Sequence, residues 1–471
     1  MAKIVIIGGG VAGLSAGIYA LLSGHTAVIY EKHTEAGGNL TGWQRGPYHI
    51  DNCIHWLTGT NVKTDTYKMW ETLGVLDGGI YSPPSLYTCE LDGERLTLKR
   101  DIDRLEDELI SLSPADIKQI RKLTAAVRAA AVLCGLKDGK KTDAVKLMEY
   151  YKMTAGELAE KYTHPLIKMF LSSFLTEDFG SLGLIFVYAN FCYGNADLPR
   201  GGSKAAAKRM TDRFLSSGGT LHTGVGAEKL IFEQNTAKKV LLSDKTEDTA
   251  DYFILTADPV PSYEKLTGRP LPKALLKMKQ NKKLRLFSSF HCAFSCAATL
   301  DFDGDLVFNL TEDAQKKLGA EYLTLRNFGY ESSCAPAGET VLQAFFFCRE
   351  ARCRKIIELC KNREAYRRIK EKISLIVTDE IIKKYPDYKD NLKLIDVWTP
   401  ATYKKYTGAD CGTYMSYAFS SKYVPRFCKN KADGIKNVIL ATQWLQAPGG
   451  LPTAANAGRV AVETVNKIIK N

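Results

Sequence analysis

The first 31 residues constrain the fold more than any other part of the chain, because a strand, a glycine turn, a helix and a second strand follow one another without interruption. The first strand is entirely apolar, which is typical of a strand buried on both faces of a parallel sheet. The pattern predicts a strand over Ile4–Ile7, the turn Gly8-x-Gly10-x-x-Gly13, a helix to about Ser23 and a strand over Ala27–Tyr30. This order indicates an α/β protein with a Rossmann-like nucleotide-binding domain.

The three glycines have the spacing that a bound dinucleotide requires. Gly8 permits the tight turn, Gly10 lets a pyrophosphate approach the backbone, and Gly13 lets helix and strand pack closely. The helix N-terminus adds free N–H groups and the positive end of its dipole. Glu31, at the end of the second strand, is placed to bind ribose hydroxyls, and its charge argues against NADP. A glycine turn without a ligand is the alternative, but it would not require this acid.

A second glycine pair, Gly37-Gly38, lies shortly beyond Glu31 and favours FAD over NAD. Flavoproteins that wrap FAD carry such a pair, whereas plain NAD dehydrogenases usually lack it. We therefore expect FAD as the cofactor, with its flavin end near residues 39–59. The expected contacts from this part of the chain are Gly8, Gly10, Val11, Ala12, Gly13, Glu31, Lys32, Gly37, Gly38 and Asn39.

The segment HIDNCIHWLTG, residues 49–59, carries three chemically active side chains in alternation. On an extended chain Asp51, Cys53 and His55 would point to one face. A nucleophilic Cys–His pair is disfavoured, because residues two apart on a strand diverge rather than hydrogen-bond. No metal site is predicted, since the sequence has no CxxC or HExxH spacing. We expect His55 to line the flavin or substrate cavity and to donate a proton or hydrogen bond. A structural histidine, or a covalent flavin link through Cys53 or His55, is the alternative.

Length, charge and cysteine usage exclude several classes of protein. A chain of 471 residues predicts two or three domains. The net charge is +12, but no basic stripe with interleaved aromatic residues occurs, so nucleic acid is not an expected partner. The 12 scattered cysteines indicate free thiols in a reducing compartment. The N-terminal apolar run is too short for a signal peptide, so we expect a cytoplasmic protein with at most a peripheral membrane contact.

The remaining patterns indicate two interleaved domains. Helical periodicity dominates residues 100–190, and strand patterns recur near residues 285–300 and 340–349. The chain closes with a strand, the loop QWLQAPGGLPT and a helix over 454–469. We assign residues 1–60, 196–270 and 425–471 to a discontinuous FAD-binding domain, and residues 61–195 and 271–424 to a mixed α+β substrate domain.

Several motifs together resemble one family. The glycine motifs, LPRGGS followed by SSGGTLHT, and the C-terminal NVILATQWLQAPGGLPTAANAG occur in the order found in phytoene desaturases, carotenoid isomerases and retinol saturases. The run Ile54-His55-Trp56 is more similar to the retinol saturases than to the desaturases. The resemblance implies an amine-oxidase or GDP-dissociation-inhibitor-like fold and a bound FAD. It also implies an apolar polyene or lipid-like substrate that exchanges hydride with flavin N5 during saturation, desaturation or isomerisation.

The resemblance also assigns site residues. It implies further FAD contacts at Ala227, Gly449, Gly450, Leu451 and Pro452. The sequence departs from the family at Asn39, where relatives have Arg, and at Thr442, where many have Asp. Arg45 is a candidate to replace the lost phosphate contact. Tyr414 and Trp444 lie in segments expected near the flavin, where they would wall the pocket beside His55; ordinary core packing is the alternative.

A basic cluster within PKALLKMKQNKKLRLF predicts contact with an anionic membrane surface, and a solvated helix face is the alternative. Two other functions compete with the polyene enzyme. A flavin amine oxidase would need an aromatic cage beside the flavin. A non-enzymatic lipid escort on the same fold would tend to lose the FAD glycines, which are present here. The sequence identifies neither the electron partner nor the oligomeric state.

Overall fold

A computed structural model describes residues 1–419 and 428–471. Its strands are β1 (Lys3–Ile7), β2 (Thr26–Glu31), β3 (Gly42–Arg45), β4 (Tyr48–Asp51), β5 (Leu57–Thr58), β6 (Ile80–Tyr81), β7 (Ser85–Leu91), β8 (Glu94–Lys99), β9 (Ala196–Pro199), β10 (Thr220–Thr223), β11 (Ala227–Glu233), β12 (Thr236–Leu242), β13 (Glu247–Thr249), β14 (Tyr252–Leu255), β15 (Leu284–Arg285), β16 (Phe287–Cys296), β17 (Asp305–Asn309), β18 (Tyr322–Asn327), β19 (Thr340–Arg349), β20 (Leu392–Trp398), β21 (Ala418–Phe419) and β22 (Val438–Leu440). Its α-helices are α1 (Val11–Leu22), α2 (Asp65–Thr72), α3 (Ile102–Leu112), α4 (Ile117–Leu133), α5 (Ala155–Ala159), α6 (Pro165–Ser173), α7 (Ser181–Cys192), α8 (Gly202–Ser216), α9 (Pro259–Thr267), α10 (Lys273–Gln280), α11 (Glu312–Leu318), α12 (Glu350–Leu359), α13 (Arg363–Lys384), α14 (Pro400–Thr407) and α15 (Leu451–Lys470).

A five-stranded sheet forms the nucleotide-binding part, in the order β10-β2-β1-β14-β22. All four neighbouring pairs are parallel. Ile4, Val5 and Ile6 in β1 have no exposed surface, because layers on both faces cover this strand. The carboxyl ends of β1 and β14 therefore open at one edge of the sheet, where doubly wound folds bind their ligands.

Small residues hold α1 against the C-terminal helix α15. A Cβ at Gly458 would lie 2.4 Å from the carbonyl oxygen of Ala12, so only glycine allows this approach. The Ser15 hydroxyl donates to the carbonyl of Ala455 at 2.6 Å. This contact brings the loop before α15 next to the glycine turn before α1, although the two lie at opposite ends of the sequence.

A seven-stranded mixed sheet forms the second part, in the order β20-β16-β19-β18-β17-β7-β8. Its two longest strands, β16 and β19, form an antiparallel pair that runs in register from Phe287 opposite Arg349 to Cys296 opposite Thr340. Helices α3 to α7 pack beside its β7–β8 end in a separate apolar cluster that contains Tyr87, Phe170 and Tyr188. Two walls of a cavity, one of strands and one of helices, result from this arrangement.

The expected fold class is confirmed: an α/β Rossmann-like domain is interleaved with a mixed α+β part. The domain division itself stays a prediction, and its boundary between residues 424 and 425 lies outside the described residues. One local expectation is wrong. Strand β4 ends at Asp51, and the chain bends over residues 52–56, so Asp51, Cys53 and His55 do not share one face.

Candidate active site

A cavity of about 790 Å³ extends from the edge of the five-stranded sheet to the seven-stranded sheet. One end is lined by the glycine turns and by Glu31. The other end is lined by aromatic side chains of both strands and helices. This volume lies in the range of about 300–1,000 Å³ that is typical of ligand sites.

The two N-terminal glycine motifs face each other across the first end of this cavity. Gly37 forms a bridge with Gly10, and the Gly37 N–H donates to the Gly9 carbonyl at 2.8 Å. A Cβ at Gly10 would lie 3.8 Å from the Gly38 Cα. Gly37 and Gly38 have φ values of +123° and +62°, which favour glycine. A ligand that passes here can approach the backbone of both motifs closely, next to the N-terminus of α1.

Glu31 is buried and already accepts two backbone N–H groups. Its Oε2 accepts from Gly9 at 2.8 Å, and its Oε1 accepts from His33 at 2.9 Å. These bonds fix the carboxylate at the cavity wall while leaving each oxygen a second lone pair for a ligand hydroxyl. Lys32 and Ala227 line the same end of the cavity.

The C-terminal loop completes this end of the site. Gly449, Gly450, Leu451 and Pro452 line the cavity, and Gly450 has a φ of +99°. Gln443 holds the loop in place, because its Oε1 accepts from the Gly450 N–H at 2.8 Å and its Nε2 donates to the Tyr414 carbonyl at 3.2 Å. The N-termini of α1 and α15 therefore both border the cavity, where they favour negative charge.

These features fit FAD. Val11, Ala12 and Asn39 line the cavity beside the glycines described above. Gly13 does not line it: a Cβ there would lie 1.9 Å from the Gly8 carbonyl oxygen, so Gly13 acts by letting α1 pack on the turn. Side chains at the lining glycines would enter the space that a pyrophosphate needs, and the two helix N-termini suit its negative charge.

Arg45 does not replace the arginine that relatives carry at the position of Asn39. It lies outside the cavity and pairs with Asp396 at 2.8 Å, on the exposed side of the β3–β4 hairpin. Asn39 instead contacts Cys53 at 3.8 Å and accepts from Asn52 at 3.5 Å. The expectation for Arg45 is therefore wrong, because the short hairpin turns its side chain away from the glycine loops.

A hydrogen-bonded wall of polar side chains continues from Asn52 towards the seven-stranded sheet. The Tyr403 hydroxyl donates to Asn52 Oδ1 at 3.0 Å and lies 3.2 Å from His291 Nε2, which also contacts Ser289 at 2.6 Å. Burial raises the pKa of Tyr403 and lowers that of His291 well below 6.5, so both groups are neutral at pH 7. Burial and the nearby Asp51 also raise the pKa of the Cys53 thiol to about 12, which leaves it a poor nucleophile.

His55 lies where the polar wall meets the apolar part of the cavity. Its Nδ1 contacts Asp305 Oδ2 at 3.4 Å, and its ring meets Phe345 edge-on with the ring centroids 5.2 Å apart. Arg326 donates to the His55 carbonyl at 3.0 Å and lies 3.7 Å from Asp305 Oδ1. Burial lowers the pKa of His55 below 6.5, and Arg326 lowers it further, against the opposing effect of Asp305.

The far end of the cavity is an apolar chamber. Most of the side chains that form it are aromatic, and they come from α7, β16, β17, β19, the segment between β4 and β5 and the segments after α6 and α14. They are Trp56, Phe174, Leu175, Phe179, Phe186, Val187, Phe287, Val307, Phe345, Phe347, Tyr414 and Met415. Tyr414 packs edge-on against Phe287 with the ring centroids 5.9 Å apart, and Trp444 lines the cavity while packing against Tyr417.

The sequence predicted His55, Tyr414 and Trp444 at this cavity, but it did not predict the aromatic walls or the two acids Asp258 and Asp305. Phe345 and Phe347 could have been found, because alternate residues of the strand VLQAFFFCRE share one face. Asp258, whose pKa burial raises to about 7, lines the FAD end and accepts from the Asp410 N–H at 2.7 Å. Neither Asp258 nor Asp305 lies in a recognisable motif.

Within residues 1–419 and 428–471, no group of three His, Cys, Asp or Glu side chains could hold a metal ion. Over the same residues, no helix is both long and apolar enough to cross a membrane.

Comparison with known proteins agrees with this geometry. Residues 11–466 match the family described as flavin containing amine oxidoreductase. Prolycopene isomerase 1 of chloroplasts, from an Oncidium hybrid cultivar, is 24% identical over 87% of this chain and 74% of its own length. Phytoene desaturase (lycopene-forming) from Pseudescherichia vulneris is 24% identical over 57% of this chain and 58% of its own.

Solved structures share the fold at low sequence identity. Cyclohexylamine oxidase from Brevibacterium oxydans IH-35A superimposes with a TM-score of 0.63 at 14% identity and covers 100% of both chains. Putrescine oxidase bound to putrescine has a TM-score of 0.61 at 14% identity and covers 99% of both chains. By its family match over nearly the whole length, the chain belongs to the flavin containing amine oxidoreductases, with carotenoid isomerases and desaturases among its relatives, and its cofactor is FAD.

Proposed function

We propose that the protein is an FAD-dependent enzyme that transfers hydrogen at carbon–carbon bonds of a long apolar polyene or a related lipid. The observation that carries this proposal is the continuity of one cavity, which joins the glycine cradle for FAD to a chamber walled by aromatic side chains. The names of the curated relatives, a prolycopene isomerase and a phytoene desaturase, support a conjugated hydrocarbon as the substrate class.

The chain's own groups would bind and orient such a substrate. Bound FAD supplies two-electron hydrogen transfer to or from carbon. Phe345, Phe347 and Tyr414 offer flat apolar surfaces along which a rigid polyene can lie, and their bulk excludes water from the reacting carbons. The polar side chains lie together along one wall, so the remaining surface of the chamber carries no charge that would favour a polar substrate.

A flavin amine oxidase is the weaker alternative. The solved amine oxidases share the fold, but at 14% identity they say nothing about the substrate of this chain. A lipid escort without enzymatic activity would have no use for an intact glycine cradle next to Glu31. The aromatic walls of the chamber would also meet the need of an amine oxidase for an aromatic cage, so the preference for a polyene rests on the names of the curated relatives.

An anaerobic titration tests the proposed function. The purified protein should contain oxidised FAD, with absorption near 450 nm. Reduction of this FAD by a partly saturated polyene, or reoxidation of the reduced FAD by a conjugated polyene, supports the proposal. Reaction with primary amines but with no polyene would replace it by an amine oxidase, and a protein that never binds FAD would refute both.

Neighbouring phenylalanines provide a matched pair of variants for this titration. Phe347 lines the chamber, whereas Phe346 lies on the opposite face of β19 and stacks on Phe290 with the ring centroids 5.6 Å apart. Phe347→Leu should change the rate or the preferred chain length of the polyene. Phe346→Leu removes the same groups from the core and should lower stability without changing substrate preference.

We also propose that an anionic membrane surface delivers the apolar substrate. The predicted basic cluster lies on α10 and the segment after it, where Lys277, Lys279 and Lys282 are exposed. In the helical part, Val145, Met148 and Tyr151 expose 70%, 69% and 44% of their surface, and Lys146 and Lys152 are exposed beside them in the sequence. Such apolar side chains beside lysines suit the boundary between lipid headgroups and acyl chains.

The segment that follows this apolar patch, Val145, Met148 and Tyr151, pairs with the chain beside Phe179. The Ala155 N–H donates to the carbonyl of Phe179, a chamber residue, at 2.7 Å. Sedimentation with vesicles that contain anionic lipid should fall for Val145→Asp/Met148→Asp, but not for the control Leu375→Asp, an exposed apolar residue on α13. If sedimentation fell only for Lys277→Glu/Lys279→Glu, the membrane contact would lie on α10 instead. If the unaltered protein did not sediment with these vesicles, the proposed membrane contact would be refuted.

A further inference from the structure

We infer that His55 is the general base of the reaction, with Asp305 as its positioning residue, so that the chemistry runs towards removal of hydrogen from the substrate. This inference rests on the proposed function and gives it a direction. It also reverses the role predicted from the sequence, in which His55 donates a proton.

The hydrogen bonds around His55 determine which nitrogen faces the cavity. Nδ1 meets Asp305 Oδ2 at 3.4 Å, and a carboxylate can only accept, so a neutral imidazole carries its proton on Nδ1. Among the described residues, Nε2 has no hydrogen-bond partner and is not enclosed. About a quarter of the side chain is accessible, and that surface belongs to the cavity. Nε2 therefore presents a lone pair to the chamber.

The surrounding charges keep this lone pair available. Four ionisable groups face the imidazole: Asp305 on β17, Arg326 on β18, Asp51 at the end of β4 and the neutral His291 on β16. Arg326 lies between Asp305 and the backbone carbonyl of His55, and its charge offsets that of the acid. Burial and Arg326 together lower the pKa of His55, so the resting side chain is unprotonated at neutral pH.

The step balances as a dehydrogenation. One hydrogen would leave its carbon with the bonding electron pair, and bound oxidised FAD would supply the acceptor for these two electrons. The neighbouring carbon loses a proton to His55 Nε2, and the electron pair of that C–H bond becomes the new double bond. The product has two hydrogens fewer than the substrate, and His55 becomes an imidazolium next to Asp305, which stabilises the positive charge.

A spectroscopic measurement tests the tautomer without reference to activity. In the FAD-loaded protein labelled with 15N-histidine, the His55 signal is identified by its loss in His55→Gln. We expect a protonated Nδ1 and an unprotonated Nε2 at pH 7, and this state should persist below pH 6.5. A signal with the proton on Nε2 would overturn the inference, whatever the enzyme proves to catalyse.

The pH profile of dehydrogenation tests the catalytic role. In the unaltered enzyme the rate of FAD reduction should rise with pH and level off, with its midpoint below 6.5. His55→Gln should lower the rate by about 10²- to 10⁴-fold and abolish this midpoint while FAD content stays unchanged. The control is His49→Gln, since His49 is also a half-buried histidine with a lowered pKa but does not line the cavity.

Asp305→Asn tests the positioning role. Its amide can donate to Nδ1 and so permit the other tautomer, which should lower the rate and move the proton to Nε2 in the 15N spectrum. If this variant does not fold because Arg326 loses its partner, Asp305→Asn/Arg326→Gln removes both charges and is expected to show the same change. If His55→Gln reduced its FAD at the full rate, the inference about His55 would be overturned. If no polyene reduced or reoxidised the FAD of the unaltered protein, the proposed function would be overturned instead.

Discussion

Replacing Gly10 and Gly13 by alanine, one at a time, should separate binding of FAD from stability of the fold. Both belong to the same turn, but an added methyl group meets different atoms. At Gly10 a Cβ would lie 3.8 Å from the Gly38 Cα, in ordinary contact, and the backbone φ of −73° suits any residue. At Gly13 a Cβ would lie 1.9 Å from the Gly8 carbonyl oxygen.

The expected magnitudes follow from these distances. Gly13→Ala must separate α1 from the turn by more than 1 Å to reach even a 3.0 Å contact. Because the backbone must move this far, Gly13→Ala should lower the free energy of unfolding by about 4 kcal/mol or more, as the most destabilising single substitutions do. Gly10→Ala should lower the free energy of unfolding by about 0.5–1 kcal/mol, because alanine is a poorer residue than glycine at the N-cap of α1. It should raise this free energy by a similar amount, because alanine gives the unfolded chain less conformational freedom. Its methyl group fills the closest approach to the pyrophosphate, so affinity for FAD should fall at least about 100-fold, or about 2.7 kcal/mol.

Two assays distinguish the outcomes. Urea unfolding of the protein without FAD should give Gly10→Ala within about 1 kcal/mol of the unaltered chain and should show Gly13→Ala destabilised or insoluble. Fluorescence titration with FAD should then show weak binding by Gly10→Ala. If Gly10→Ala bound FAD with native affinity, the pyrophosphate would not run against this turn. If Gly13→Ala were as stable as the unaltered protein, the packing argument would be refuted.

Three further predictions concern the segment that follows the glycine motifs and the sheet above it. Asp51→Ala should lower the free energy of unfolding by about 1–3 kcal/mol in urea, because Asp51 accepts from the N–H and the hydroxyl of Ser203 at 2.5 and 2.6 Å at the start of α8; unchanged stability would contradict this capping role. Acid precipitation should release all flavin, and Cys53→Ser should keep its FAD, since the Cys53 pKa of about 12 disfavours a thiolate; flavin that stays with the precipitate would contradict this. His291→Gln should reduce the acid sensitivity of stability. Below pH 6.5 the histidine is protonated in the unfolded state but stays neutral when His291 is buried in the folded state. As the pH decreases, this group therefore lowers the free energy of unfolding by about 1.4 kcal/mol per pH unit. Equal slopes of stability against pH for His291→Gln and the unaltered protein would contradict this prediction.

The fold was predictable where one local pattern determines one element. The N-terminal βαβ unit and strand β19 both follow from spacing and apolar periodicity. Strands β7, β17 and β20 were not predicted from the sequence, because their residues mix charged and apolar types without strict alternation. In β7 almost every residue is buried, including the polar Ser85, Thr88 and Glu90, so its pattern is decided by neighbours that the sequence does not reveal.

The site was predictable in the same uneven way. Residues whose role depends on the backbone, such as Gly10 and Gly38, have a signature in their spacing. Those whose role depends on a distant partner do not. Asp305 is 250 positions from His55 and reaches it only because β17 joins the seven-stranded sheet next to β7. Arg45 failed as a candidate for the same reason, since its partner Asp396 belongs to β20.

The order of the chain makes folding and binding of FAD one equilibrium. Helix α15 is the last element, yet it packs on α1 through Gly458 and carries the loop Gly449–Pro452 to the cavity. If α15 detaches, the protein therefore loses at the same time a helix that packs on α1 and the glycine loop that lines the FAD end of the cavity. FAD binds only the assembled state, so at 100 times its dissociation constant it should stabilise the fold by about 2.7 kcal/mol. Loosening of α15 then lowers affinity for FAD even where no contact with the cofactor is altered, and Gly458→Ala, which forces α15 away from Ala12, should weaken binding and stability together.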